Sequence, residues 1–212
     1  STSNANEELE KSEYSRIYEV IKALELNDSS FAAELASIRE AVGAGRGKGR
    51  MPSNVVILNG ASLPDSFIEA FELGVIRNVT SNWNEKFGEL SRFAEENGHC
   101  RVPQNTSGRG SDKNSLGVWV AQQRVNFSKG TLSSERIKKL AGLKGWTFNP
   151  LEDDWIRSVN ATKSAIQKFG AWYLIDKDYV EDGVRIRAWI NSIKSPQGQK
   201  KLTTDKKRII SE

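Results

Sequence analysis

Trp83-x-x-x-Phe87-x-x-Leu90-x-x-Phe93 opens the stretch that decides the fold. It continues as Gly98-His99-x-x-Val102-Pro103 and Leu116-Gly117-x-Trp119-Val120-x-x-Gln123-Arg124. It closes with Gly130-x-Leu132-Ser133-x-Glu135-Arg136-x-x-x-Leu140 and Gly145-Trp146-x-Phe148. Apolar residues three and four apart mark amphipathic helices. The Gly, Pro, Ser and Asn between them punctuate those helices. The stretch predicts three short helices around a small aromatic core. The first runs from about Trp83 to Asn97, stopped by Gly98. The second runs from Leu116 to Phe127, with Leu116, Trp119, Val120, Gln123 and Phe127 inward. The third starts at the N-cap Ser133, and Trp146 and Phe148 fold back over the core.

The pattern recurs downstream. Trp83 to Gly98 and Trp155 to Gly170 are both steps of 15 residues. Leu132 lies 13 past Trp119, and Leu202 lies 13 past Trp189. Arg124 matches Lys194, Glu135-Arg136 matches Asp205-Lys206, and Leu140 matches Ile210. These matches predict a second, divergent copy, and a repeat changes the architecture. The counterpart of Gly145-Trp146-x-Phe148 falls past Glu212, so the expectation is a truncated second copy and a larger parent protein.

Upstream, residues 12–42 read as helix with a break at Asn27-Asp28-Ser29. Tyr14, Ile17, Tyr18, Ile21 and Leu24 form one stripe, and Phe31, Leu35, Ile38 and Val42 another. Residues 43–52 read as a flexible linker by composition. They are not a phosphate-binding P-loop, because Gly49 and Arg50 follow Lys48 where that motif needs Lys then Ser or Thr. Val55-Val56-Ile57-Leu58 reads as a lone short strand. Pro64-Asp65 opens a helix carrying Phe67, Ile68, Phe71, Ile76 and Val79, and Ser81 or Asn82 caps the next. The expected fold is mainly α: small three-helix bundles in tandem, after a helical connector with one short strand. The expected domains are 1–82, 83–150 and 151–212.

The 212 residues carry a net charge of +4 and a pI near 9.1, consistent with a polyanion partner without establishing one. Distribution says more: acids predominate from Glu7 to Glu40, and bases from Arg101 to Lys144. The single Cys100 excludes an internal disulfide and fits a reducing, cytoplasmic setting. No apolar run is long enough to span a bilayer, and no membrane partner is expected.

Enzymatic signals are weak. No nucleotide-hydrolysing motif, metal-ligand spacing or cofactor motif is present, so no catalytic residue, metal or cofactor is assigned. His99 and Cys100 are adjacent, and neighbours in sequence rarely make a nucleophile–base pair. His99 reads instead as closing the turn after the first helix. Glu152-Asp153-Asp154 reads as an acidic helix N-terminus. The tryptophans recur at helical spacing and read as core rather than as base-stacking platforms, with Trp172 and Tyr173 the exceptions.

The basic residues are the better candidates. Helix-turn-helix-like bundles meet phosphates through Lys and Arg on loops and helix faces. The candidates in the first copy are Arg101, Arg109, Lys113, Arg124, Lys129, Lys138, Lys139 and Lys144. In the second they are Arg185, Arg187, Lys194, Lys200, Lys201, Lys206, Lys207 and Arg208. For Arg124, beside the core stripe, a structural pairing with a carboxylate stands as the alternative.

The motifs of the opening stretch resemble the helicase-associated domain, found often in tandem at the C-terminal end of bacterial DEAD/DEAH-type superfamily 2 helicase-like proteins. The resemblance is strong over residues 83–150. It is weak over 155–212, where the Gly-His, Val-Pro and Gln-Arg pairs are missing. It implies a small helical bundle that binds nucleic acid, DNA favoured over RNA, and a parent with an ATP-dependent motor. The motor domains of that parent are then a second partner, and residues 12–80 resemble the stretch joining them to these bundles. The lone strand would pair with a sheet in the motor. The alternative function is a protein-interaction module docking the motor or another partner through Trp172, Tyr173 and the acidic helices of residues 12–42.

Overall fold

The computed structural model describes residues 15–55, 64–103 and 115–210. The chain forms two compact units, residues 1–146 and 147–212. The described residues are mainly α-helical.

In the first unit, α1 (Ser15–Asn27) and α2 (Ser29–Gly43) meet at Asp28. The Asp28 carboxylate accepts from the Ser30 and Phe31 amides at 2.9 and 3.0 Å, capping α2 and breaking the helix as expected. Ile21, Phe31, Leu35, Met51, Val75 and Ile76 form one buried cluster, the last two from α3 (Asp65–Val79). Leu24, assigned to the inner stripe of α1, is exposed. The strand expected at residues 55–58 is not seen at its first residue: Val55 donates to the Pro52 carbonyl in a turn and packs half-buried on the cluster. Residues 56–58 lie outside the described residues, as does Tyr14.

The segment read as a linker is pinned at its cations. Arg46 pairs with Glu95, Lys48 with Glu69 at 3.2 Å, and Arg50 with Glu69 and Glu72 at 3.9 and 3.6 Å. Its glycines serve close approach as well as freedom: at Gly49 (φ 77°) a Cβ would lie 2.6 Å from Leu73.

The decisive stretch folds as α4 (Asn82–Asn97), α5 (Leu116–Ser128) and α6 (Ser134–Ala141). Ser81 caps α4 through the Trp83 amide, and Gly98 (φ 73°) ends it in the left-handed conformation. Ser115 and Ser133 cap α5 and α6. Leu90, Val120, Leu132 and Leu140 are buried, whereas Phe127 is exposed. α2 lies directly on α4: a Cβ on Gly88 would stand 2.0 Å from the Glu40 carbonyl oxygen, and one on Gly43 the same distance from that of Glu85. Arg39 locks the contact from within the core. Its guanidinium donates to the Glu85 carboxylate at 3.2 Å, the Arg77 carbonyl at 2.7 Å, the Thr80 carbonyl, and the Asn82 side chain at 3.3 Å.

The second unit begins with α7 (Pro150–Phe169), capped by Asn149 and ended at Gly170 (φ 85°). A 3-10 turn (Trp172–Leu174) leads to β1 (Val180–Glu181) and β2 (Val184–Arg185), an antiparallel pair. No strand was expected here. Asp182 and Gly183 take φ values of 48° and 75°, the positive-φ pair of a two-residue hairpin turn. α8 (Ile186–Lys194), α9 (Pro196–Lys201) and α10 (Thr204–Ile209) follow. Ala161, Ala165, Ile175, Val184, Ile186 and Ile190 form the core.

Candidate nucleic-acid interface

The aromatic centre of the first unit is Trp83, which is 7% exposed. Its indole N–H donates to the Gln123 side-chain oxygen at 3.0 Å, which explains a buried glutamine on α5. Its ring stacks on Phe87 at 5.1 Å and meets Trp119 at 5.8 Å with an interplanar angle of 57°. Arg136 of α6 covers it at 5.1 Å. Of the five tryptophans whose spacing predicts core, Trp83 is buried and Trp119, Trp146, Trp155 and Trp189 are half-buried. Trp172, expected to lie open, is half-buried beneath Arg187 and Lys194, at 5.6 and 3.8 Å. Its neighbour Tyr173 is exposed.

Several candidate cations have structural positions. Arg124 is half-buried, sits 5.0 Å over Trp146 and donates to the Cys100 carbonyl at 3.4 Å. Burial lowers its pKa, the Cys100 thiol opposes, and the charge of nearby Arg101 lowers it further. Lys139 pairs with Glu40 of α2 and lies over Phe87. Lys206 pairs with Glu152 at 2.6 Å and covers Trp155 at 4.9 Å. Arg187 donates to the Tyr173 and Ile175 carbonyls at 2.8 and 3.1 Å. Lys138, Lys194, Lys200, Lys201 and Lys207 sit in last turns of helices. There they offset the negative end of the macrodipole, which accounts for them without a ligand. Arg109 and Lys113 lie outside the described residues.

What the fold brings together is a seam. The Cys100 amide donates to the Gly145 carbonyl at 3.4 Å, and its thiol to the Lys144 carbonyl at 3.5 Å. A Cβ on Gly145 (φ 73°) would stand 2.8 Å from the His99 Cα, so the two segments touch at their backbones. Exposed Arg101 and exposed Lys144 therefore flank the place where half-buried Arg124 reaches Trp146. Three cations from distant parts of the sequence share one edge. Lys129, at the C-cap of α5, is exposed, as is Arg185 in the second unit.

The same seam disposes of a nucleophile. Cys100 is fully buried, and burial raises its pKa against a smaller lowering by Arg124. The thiolate that nucleophilic chemistry needs is thereby disfavoured. His99 Nδ1 accepts from the Arg101 amide at 3.2 Å, the turn-closing role its position suggested. Among the described residues no cluster of three metal-ligating side chains occurs, and no helix is long and apolar enough to cross a membrane.

Arg39 and Arg136 escaped the sequence reading as organising residues. Arg39 falls four residues past Leu35, on the apolar stripe of α2, and a charge on such a stripe signals a buried partner network. Arg136 stands three residues past the cap Ser133, where its own amide is bound.

Residues 80–149 match the family model of the helicase associated domain, an accessory and not a catalytic domain. No curated protein and no solved structure matches the chain.

Proposed function

We propose that the chain is a nucleic-acid-binding accessory region of an ATP-dependent DEAD/DEAH-type helicase, gripping the phosphate backbone with little base readout. The family match supports the accessory role, and the seam of Arg101, Arg124 and Lys144 carries the nucleic-acid reading. The exposed Arg101, Lys144 and Lys129 make the direct contacts. DNA is favoured over RNA.

The second unit is a divergent copy of the first bundle. Trp155 and Trp189 meet at 5.6 Å and 56°, against 5.8 Å and 57° for Trp83 and Trp119. Lys206 covers Trp155 at 4.9 Å as Arg136 covers Trp83 at 5.1 Å. Thr203 caps the Lys206 amide as Ser133 caps that of Arg136.

Filter binding to duplex DNA and to duplex RNA at two salt concentrations tests the reading. Phosphate contacts release counterions, so affinity should fall steeply with salt. The double variant R101A/K144A should bind about tenfold or more weakly and shallow the salt slope by roughly 1 per lost contact. A flat salt response, or unchanged binding by the variant, removes the proposal. The protein-docking alternative is favoured by Tyr173 and Leu174, exposed side by side at 64% and 61%, and by Val20 and Leu26 on α1 at 58% and 72%. Under it, Y173A/L174S loses the motor domains while nucleic-acid binding is absent in both chains.

A further inference from the structure

The first unit holds an open pocket of about 370 Å³ beside the start of α4. The 16 residues of α4, about 24 Å of helix, separate it from the seam that follows Gly98. Its volume falls within the roughly 300–1,000 Å³ of pockets that bury a small ligand. Ala32, Ala33 and Ala36, at helical spacing on α2, supply a wall of methyl groups. Trp83 and Arg136 line it too, the guanidinium 5.1 Å over the indole. Two carboxylates stand in the same lining, half-buried Glu25 and exposed Glu135.

Among the described residues none of these three charges has an ion-pair partner. The Arg136 side chain donates to Ser81 Oγ, at 3.4 Å. Lys206, which covers Trp155 as Arg136 covers Trp83, is closed off by Glu152 at 2.6 Å. Glu135 has the favourable N-terminal end of α6 beside it. Glu25 has the reverse, because it lies in the last turn of α1, where the macrodipole disfavours an anion. Two carboxylates against one guanidinium reject a phosphate, and Arg136 rejects a second cation. The group that fits is flat and neutral, with N–H donors for the carboxylates and acceptors for the guanidinium.

We propose that this pocket receives an unpaired guanine base of the nucleic acid that the seam holds. The ring lies on the alanine methyls, its N1–H and N2 amine donate to a carboxylate, and O6 and N7 accept from Arg136, the usual arginine–guanine pairing. The inference rests on the nucleic-acid reading above and adds one unpaired base to a grip that otherwise meets phosphates.

Anisotropy of a fluorescein-labelled DNA hairpin tests it, with a 3′ tail of four thymidines and one guanosine against a tail of five thymidines. Both tails carry the same phosphates, so the difference reads the base alone. The guanosine tail should bind about tenfold more tightly, the discrimination of one bidentate base contact. A33W, at an exposed position of α2, should fill the pocket and erase that difference. E25Q/E135Q should erase it as well, and keeps the test valid if A33W fails to fold. Saturation-transfer NMR with free guanosine reads the pocket without phosphates, and a signal is expected from the chain and none from A33W. Equal affinity for the two tails, in a chain that binds the hairpin with steep salt dependence, overturns this inference alone. A guanosine signal without hairpin binding overturns the seam alone, and absence of both overturns both. A tail preference that survives both variants places the base elsewhere and overturns the proposal. A signal from acetylarginine amide in place of guanosine assigns the pocket to a basic side chain of a protein and overturns it too.

Discussion

Arg39 shows how much one buried cation can organise. It is 5% exposed, and burial lowers its pKa against the raising effect of Glu85. Burial also pushes the Glu85 carboxyl up, but hydrogen bonds and charge from Arg77 and Arg39 outweigh it, leaving Glu85 below the ordinary range. Removing Arg39 orphans backbone carbonyls and leaves Glu85 with Arg77 alone. Arg39→Met should therefore cost about 3 kcal/mol or more in urea denaturation, the scale for breaking a buried pair. Lysine should not rescue it, because a single ammonium cannot replace the guanidinium fork. In the second unit, Lys168, Tyr179 and Ser164 all donate to Glu181, at 2.6 Å from Lys168 and 2.8 Å from Ser164, and hold its carboxyl down at about 2. A carboxyl lowered on folding contributes stability above its unfolded pKa, about 4.3. That contribution is lost as pH falls from there through about 2. E181Q should flatten the acid limb of the melting-temperature profile in that window and lower the melting temperature at neutral pH.

At the scale of elements, helices and their caps were legible and close contacts between helices were not. Ser81, Gly98, Ser133 and Asp28 all stand where capping chemistry requires, because capping is local. Gly43 and Gly88 carry no periodic signal, yet they let α2 and α4 touch at their backbones. Gly88→Ala puts a methyl 2.0 Å from the Glu40 oxygen and 2.9 Å from the Ala44 nitrogen, both backbone atoms that cannot swing aside. It should destabilise the first unit by about 3 kcal/mol, the upper end of ordinary overpacking costs, measured as a shift in urea midpoint with the slope unchanged. The hairpin at Val180–Arg185 was missed because two-residue strands have no alternation to read. The Asp182-Gly183 dipeptide between Val180-Glu181 and Val184-Arg185 was the available cue. At the candidate site, residue type was legible and engagement was not. The sequence marks Arg101, Arg124, Lys139 and Lys144 alike as basic and sets only Arg124 apart, by its place beside the core stripe. Only the fold commits Lys139 to Glu40 and Arg124 to Trp146.

At the scale of the whole molecule, the family match and the folding unit have different edges. The match covers residues 80–149, whereas the first compact unit reaches back through α2 and α1. Lys139 of α6 and Glu85 of α4 both have partners on α2, and Gly88 is shielded by it. A fragment cut at residue 80 keeps its three helices but strips α4 along one side. Heat denaturation of that fragment should show a broad, weakly cooperative transition, and a fragment starting at residue 15 a sharp one. Equal sharpness in both would mean that the shared side contributes little.

The Arg39 knot thus has a mechanical meaning. It fastens the tail of α2, the end of α3 and the start of α4 to a single rigid node, so a pull on the N-terminal side is transmitted into the bundle instead of being absorbed by slack. In a protein tethered to a moving neighbour, that stiffness would turn a stroke at one end into a displacement at the other.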